Sequence, residues 1–132
     1  GNVLDIEAIA AIAHEHEARL ARRGLWAHAA YFERASYRTR ELMRLRSTFQ
    51  IVSGRVRKVA EIKSATYLNF GADWRSDFTA SLAPAVRRQF EADGIDPAAY
   101  RGRIVRIRGW LKSFNGPMID VTHPEQIEVV GE

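Results

Sequence analysis

Cysteine is absent from this 132-residue chain, which excludes disulfides and thiolate metal sites. Its absence is compatible with either redox compartment. Proline is scarce, with four in all, and no apolar run approaches the ~20 residues of a membrane helix. The first residues show no basic-then-apolar leader with a small-residue cleavage site. No Gly-rich phosphate loop precedes a helix, and no Ser, His and carboxylate arrangement is recognisable. Lysine is the minor cation. Arg far outnumbers it, and guanidinium binds phosphate bidentately and stacks on flat rings. What remains is an ordinary globular composition, 46% hydrophobic, on a length that suits one domain with a modest core. The balance is basic, with 20 Lys plus Arg against 16 Asp plus Glu. A surplus of that size is weak ground for a polyanion partner, so the positions of the charges must decide.

The periodicity predicts a long helix over about residues 4–23, with Ile6, Ile9, Ile12, Ala13, His16 and Leu20 in one stripe. Asp5 and Glu7 near its start and Arg19, Arg22 and Arg23 near its end suit the helix dipole. Gly24 is the expected stop. Leu25, Trp26, Tyr31 and Phe32 read as anchors to the body. A short helix over about 39–46 follows, with Leu42 and Leu45 inward and Arg38, Arg40, Arg44 and Arg46 outward. Residues 1–48 are therefore expected to form a helical extension, and residues 49–132 a β body.

From Phe49 the period changes to two. Val52, Gly54, Val56, Ala60 and Ile62 are expected on one face, and Ser53, Arg55, Arg57 and Glu61 on the other. Gly54 suggests a bulge or sharp bend. Thr66 to Thr79 reads as strand, tight turn at Gly71-Ala72-Asp73, strand. Leu68 and Phe70 alternate with Tyr67 and Asn69, and Phe78, Ala80 and Leu82 resume the pattern. A hairpin needs further strands to persist in water. Pro84 opens a helix at its first turn, buried through Val86 and Phe90 and ended at Asp93-Gly94. Val105, Ile107, Gly109 and Leu111 form the inner face of the next strand, opposite Arg106, Arg108, Trp110 and Lys112. Asn115-Gly116 is a hairpin signal. Met118 to Val121 and Gln126 to Val130 complete the set.

A long bent strand, a two-stranded hairpin, a helix and two more strands is the order of the OB-fold. The fold class is thus mainly β with helical additions. It is expected as a five-stranded Greek-key barrel with its helix between strands 3 and 4 and an N-terminal helical extension.

A family resemblance adds to this. The run Ala21-Arg22-Arg23-Gly24-Leu25-Trp26-Ala27 resembles the end of the catalytic domain in staphylococcal-nuclease-like (thermonuclease family) proteins. Tyr67-Leu68-Asn69-Phe70-Gly71, Asp73 to Thr79, Arg108-Gly109-Trp110 and Gly116-Pro117-Met118-Ile119 resemble the OB-type domain that follows in many bacterial members. The resemblance implies DNA or RNA as ligand and an exported or lipid-anchored bacterial protein. It implies no nuclease activity, because nothing here matches the calcium carboxylates or phosphate-clamping arginines of that family.

The candidate interface comprises Arg55, Arg57, Tyr67, Asn69, Trp74, Arg75, Arg106, Arg108, Trp110 and Lys112. OB-folds bind single strands by combining backbone-tracking cations with rings on which bases stack. The competing explanation is a solvated exterior whose arginines pair with Glu61, Asp77 and Asp120. Trp74 reads equally as a plug of the barrel end. His14 and His16 lie two apart and point to different sides of a helix, so they do not share an ion. His123 beside Pro124 reads as a turn residue, and Asp73, Asp77 and Asp96 as turn and capping residues. No cofactor, metal or catalytic residue is expected. The partner expected is single-stranded nucleic acid of low sequence specificity. The alternative is a protein-interaction or oligomerisation domain that self-associates through the leading helix.

Overall fold

The computed structural model describes residues 33–131. The expected long helix over 4–23, His14, His16 and Trp26 lie outside the described residues, as does any self-association through that helix. The described body is mainly β. Its strands are β1 (Glu33–Ala35), β2 (Phe49–Arg55), β3 (Lys58–Ile62), β4 (Ala65–Asn69), β5 (Thr79–Leu82), β6 (Ile104–Phe114), β7 (Gly116–Val121) and β8 (Ile127–Gly131). Two α-helices join them, α1 (Thr39–Arg44) and α2 (Pro84–Ala92). Short 3-10 turns occupy Pro97–Tyr100 and Pro124–Gln126.

The hydrogen-bonded order is β1-β2-β6-β7-β5-β4-β3, with β8 on β6. β5 and β7 are parallel, as are β1 and β2, and the other pairs are antiparallel. Only Val56 and Arg57 separate β2 from β3, so the chain itself joins two distant members of the path and curls the sheet into a barrel-like body. The expectation of five strands needs correction. Eight occur among the described residues, because the long first strand breaks at Val56–Arg57 and β1 and β8 are added. In this count α2 lies between the fifth and sixth strands.

Inward residues fill one core. Val52, Val56, Leu68, Phe70, Phe78, Ala80, Leu82, Val105, Ile107, Leu111, Ile119 and Val121 are buried in it. Leu42 of α1 and Val86 and Phe90 of α2 join them, and Leu45 packs against them. Those positions follow the expected alternation. Ala60 and Ile62 do not. The two-residue break shifts the phase, so Val59 and Glu61 stand opposite Leu68 and Thr66 while Ile62 is 56% exposed. The expected tight turn at Gly71–Asp73 is instead a nine-residue loop, 70–78. Asp73 shapes it by accepting from the Arg75 N–H at 3.0 Å and the Ser76 hydroxyl at 3.2 Å. The Asp77 carboxylate accepts the Asp73 N–H at 2.8 Å. Asn115, at φ 67°, makes the expected turn between β6 and β7.

Candidate functional site

β6 is the spine of the candidate site. With Val105, Ile107, Gly109 and Leu111 inward, period two turns Arg106, Arg108, Trp110, Lys112 and Phe114 outward. The strand changes partners along its length. Its first residues lie between β2 and β8, and from Leu111 its neighbour is β7. The outward side chains therefore belong to two neighbourhoods.

In the first, Arg106 is held by acids. Its Nη1 donates to Glu128 Oε1 at 2.6 Å, and the guanidinium also bonds Glu33. Partial burial opposes its charge, but the bonds to Glu128 and Glu33 outweigh this and raise its pKa above the ordinary value. Arg108 Nη2 lies 3.7 Å from the same Glu128 oxygen. These arginines tie β1 and β8 to β6. The expectation that they join Tyr67 and Asn69 on one ligand-facing wall needs correction, since their register neighbours are Ser53 and Ile51 of β2.

In the second neighbourhood, Trp110 and Phe114 are each 61% exposed. Four residues on one strand face place them ~13 Å apart, with Lys112 between. Trp110 meets the Phe49 ring edge-on at 5.9 Å. Lys112 Nζ lies 5.7 Å from the Phe114 ring and 2.6 Å from Asp120 Oδ2. Ser81 donates to the other Asp120 oxygen at 2.5 Å. Trp74, on the 70–78 loop, is 54% exposed and so does not plug the barrel. The Arg75 guanidinium stands 5.0 Å from its ring centroid. This loop adjoins the β6–β7 hairpin: a Cβ placed on Gly116 would lie 2.5 Å from the Ser76 carbonyl oxygen. Three exposed rings and two cations thus border one end of the body.

Tyr67 and Asn69 are half-buried on β4, opposite Ser81 and Thr79 of β5. Arg55 donates to the Gly102 carbonyl at 2.5 Å, and Arg57 is exposed beside it in sequence. Phe114, 61% exposed on the same outward face of β6, extends the candidate set by one ring. Phe114 continues the period-two run by two residues, and that signal was masked by the adjoining Asn-Gly turn. His123 is buried, with Nδ1 3.0 Å from the Thr122 hydroxyl oxygen. Asp96 caps Ala98 N–H at 3.0 Å. Among the described residues no group of three or more His, Asp or Glu could hold a metal ion, and no helix is long and apolar enough to cross a membrane.

No family model matches the chain, and no curated protein matches it. Solved structures do. A putative aspartyl-tRNA synthetase from Leishmania major Friedlin has a TM-score of 0.53 at 16% identity, covering 80% of this chain and 22% of that one. The aspartyl-tRNA synthetase of Entamoeba histolytica has 0.51 at 15%, covering 79% and 22%. An OBody bound to hen egg-white lysozyme has 0.51 at 14%, covering 76% and 99%. The chain spans about a fifth of those synthetases. At this identity the likeness carries the fold alone, and the fold is of the OB type. It lends nothing to the staphylococcal-nuclease-like resemblance.

Proposed function

We propose that this chain is a non-catalytic OB module that binds single-stranded nucleic acid with little sequence specificity. The observation that carries the proposal is the line of Trp110, Lys112 and Phe114 along β6, beside Trp74 and Arg75. The exposed rings offer each base a π-face and Arg75 offers a phosphate a counter-charge, without reading base edges, while Lys112 exchanges Asp120 for a phosphate at the cost of that ion pair. Stacking is worth ~1–3 kcal/mol per base, so three rings suffice for measurable affinity. The synthetases of similar fold are named for tRNA, which supports a polynucleotide partner and nothing more specific.

Fluorescence anisotropy with a labelled oligonucleotide tests this, followed in parallel by tryptophan quenching. The expected result is binding that weakens steeply as salt rises, because cations displace condensed counterions. No binding at low salt, or tight binding indifferent to salt, overturns the proposal. A nuclease assay with and without calcium tests the non-catalytic part, for which no cleavage is expected. The second reading is a protein-interaction module. An OBody of similar fold is described bound to a protein, and the fold does not choose between the two.

A further inference from the structure

We infer that Asp120 is a base-selecting residue, whose carboxylate accepts hydrogen bonds from the edge of the base stacked on Trp110, and that guanine is the base whose edge fits it. The inference rests on the function proposed above and names the one position at which that site distinguishes bases.

The strand register places the two residues side by side. The β6–β7 ladder ends with Leu111 opposite Ile119. One residue further on each strand stand Trp110 and Asp120, both exposed. Period two turns Trp110 and Lys112 to the same side of β6. The 2.6 Å approach of Lys112 Nζ to Asp120 Oδ2 puts the carboxylate on that side too. Residues facing each other on neighbouring antiparallel strands stand ~5 Å apart at Cβ. Phe49 meets the indole edge-on from β2, whereas Asp120 flanks it from β7. A base lying on Trp110 thus has a phenyl ring at one margin and a carboxylate at the other.

The carboxylate is held in place. Ser81, opposite Asp120 on β5, donates its hydroxyl to Oδ1 at 2.5 Å, while Lys112 holds Oδ2. An ionised carboxylate has about four lone-pair sites on its two oxygens, so each oxygen of Asp120 keeps room for a further donor. Ligand binding opens Oδ2 more, because Lys112 leaves for a phosphate while Ser81 stays. The acids of the 70–78 loop do not compete for this role. Asp77 accepts the Asp73 N–H, and Asp73 accepts from the Arg75 N–H and the Ser76 hydroxyl, so both are committed to the turn.

A carboxylate that has given up its ammonium favours a ligand edge that supplies donors, and charge-assisted hydrogen bonds are the stronger kind. Guanine carries adjacent donors on its Watson–Crick edge, N1–H and the N2 amino group, which match the two carboxylate oxygens. Adenine and cytosine set a ring-nitrogen acceptor beside their amino group. Thymine and uracil flank their single N–H with carbonyls. Each of these aims a lone pair at the carboxylate. The Watson–Crick edge is open to such reading in an unpaired, splayed-out base.

The test uses the full chain and Asp120→Asn, which keeps the size and removes the charge. The Asp120 side chain is half-exposed, and exposed ion pairs contribute little to stability, so the variant is expected to melt close to the wild type. Labelled single strands that alternate thymine with guanine, hypoxanthine or adenine are titrated by anisotropy at one salt concentration. The wild type is expected to bind the guanine strand about tenfold more tightly than the adenine strand, within the discrimination of one bidentate contact. Hypoxanthine keeps N1–H and lacks the amino group, so its strand should fall between. In Asp120→Asn the three affinities should converge to within about twofold. The adenine strand should bind the variant roughly two- to fivefold more tightly than the wild type, because Lys112 no longer has an ion pair to leave. A merely structural Asp120 would instead weaken all three strands together. Equal wild-type affinities, a comparison that needs no variant, overturn the selection and leave the proposed function standing. A guanine preference that survives in Asp120→Asn also overturns it. No binding of any strand at low salt removes the proposed function, and the selection with it.

Discussion

At the scale of the residue, glycine and the exposed rings set opposite constraints. A Cβ on Gly116 would meet the Ser76 carbonyl oxygen at 2.5 Å and that of Asp77 at 2.8 Å. Both obstacles are backbone, which no rotamer change relieves. Gly116→Ala is therefore expected to cost ~1–3 kcal/mol by displacing the 70–78 loop. In a domain of this size that lowers Tm by roughly 4–8 °C per kcal/mol. A differential scanning trace coincident with the wild type would show that the loop does not lie against the hairpin. Phe114 obeys the other constraint. Its ring is largely in solvent, so Phe114→Ala should leave Tm within the small range of ordinary surface changes. Oligonucleotide affinity should fall about tenfold, within the ~1–3 kcal/mol of one stacked base. A full-affinity Phe114→Ala protein would remove that ring from the interface. Residue types alone made Trp110 a candidate, whereas Phe114 stayed hidden because its neighbours Asn115 and Gly116 signal a turn, which says nothing of the ring beside it.

At the scale of the element, β6 shows what alternation can reveal. Its inward set, Val105, Ile107, Gly109 and Leu111, was legible because period two survives along an unbroken strand. The same rule failed at Ala60 and Ile62, because the break at Val56–Arg57 reverses which parity faces the core. No composition signal marks such a break. Alternation also could not say which cations are already occupied. The partners of Arg106 come from Glu33, 73 residues away, and Glu128, 22 away, on separate strands. Arg106 therefore belongs to strand docking. Arg106→Gln is expected to cost about 1 kcal/mol, since partly exposed ion pairs are screened by water. The loss should be local. Hydrogen exchange should speed up in β1 and β8 while amides of β4 and β5 keep their protection. Faster exchange spread evenly over all strands would mean that the pair network serves the whole body.

At the scale of the whole molecule, the OB order could be read because strand, hairpin, helix and closing hairpin follow one another in sequence. Pairings of high separation could not. The parallel contact of β5 with β7 and the addition of β8 to β6 join segments that no local pattern relates. The core they enclose extends to Tyr100, which packs edge-on against Phe90 of α2 at 6.4 Å. Burial raises the Tyr100 pKa above its ordinary 10.0. In the folded protein the phenol thus holds its proton to a higher pH than in the unfolded chain. Well below pH 10 both states keep the proton and the group is neutral towards stability. As pH rises past that point, the unfolded chain releases the proton first, so unfolding is increasingly favoured. Tyr100→Phe keeps the ring and removes the titration. Wild type and variant should melt at similar temperatures near pH 8 and diverge above pH 10, with the variant the more stable. Comparing the two proteins isolates this one phenol from every other group. Melting curves that stay parallel through pH 11 would mean that the ring reaches water, and that the 3-10 turn at Pro97–Tyr100 does not seal this end of the core.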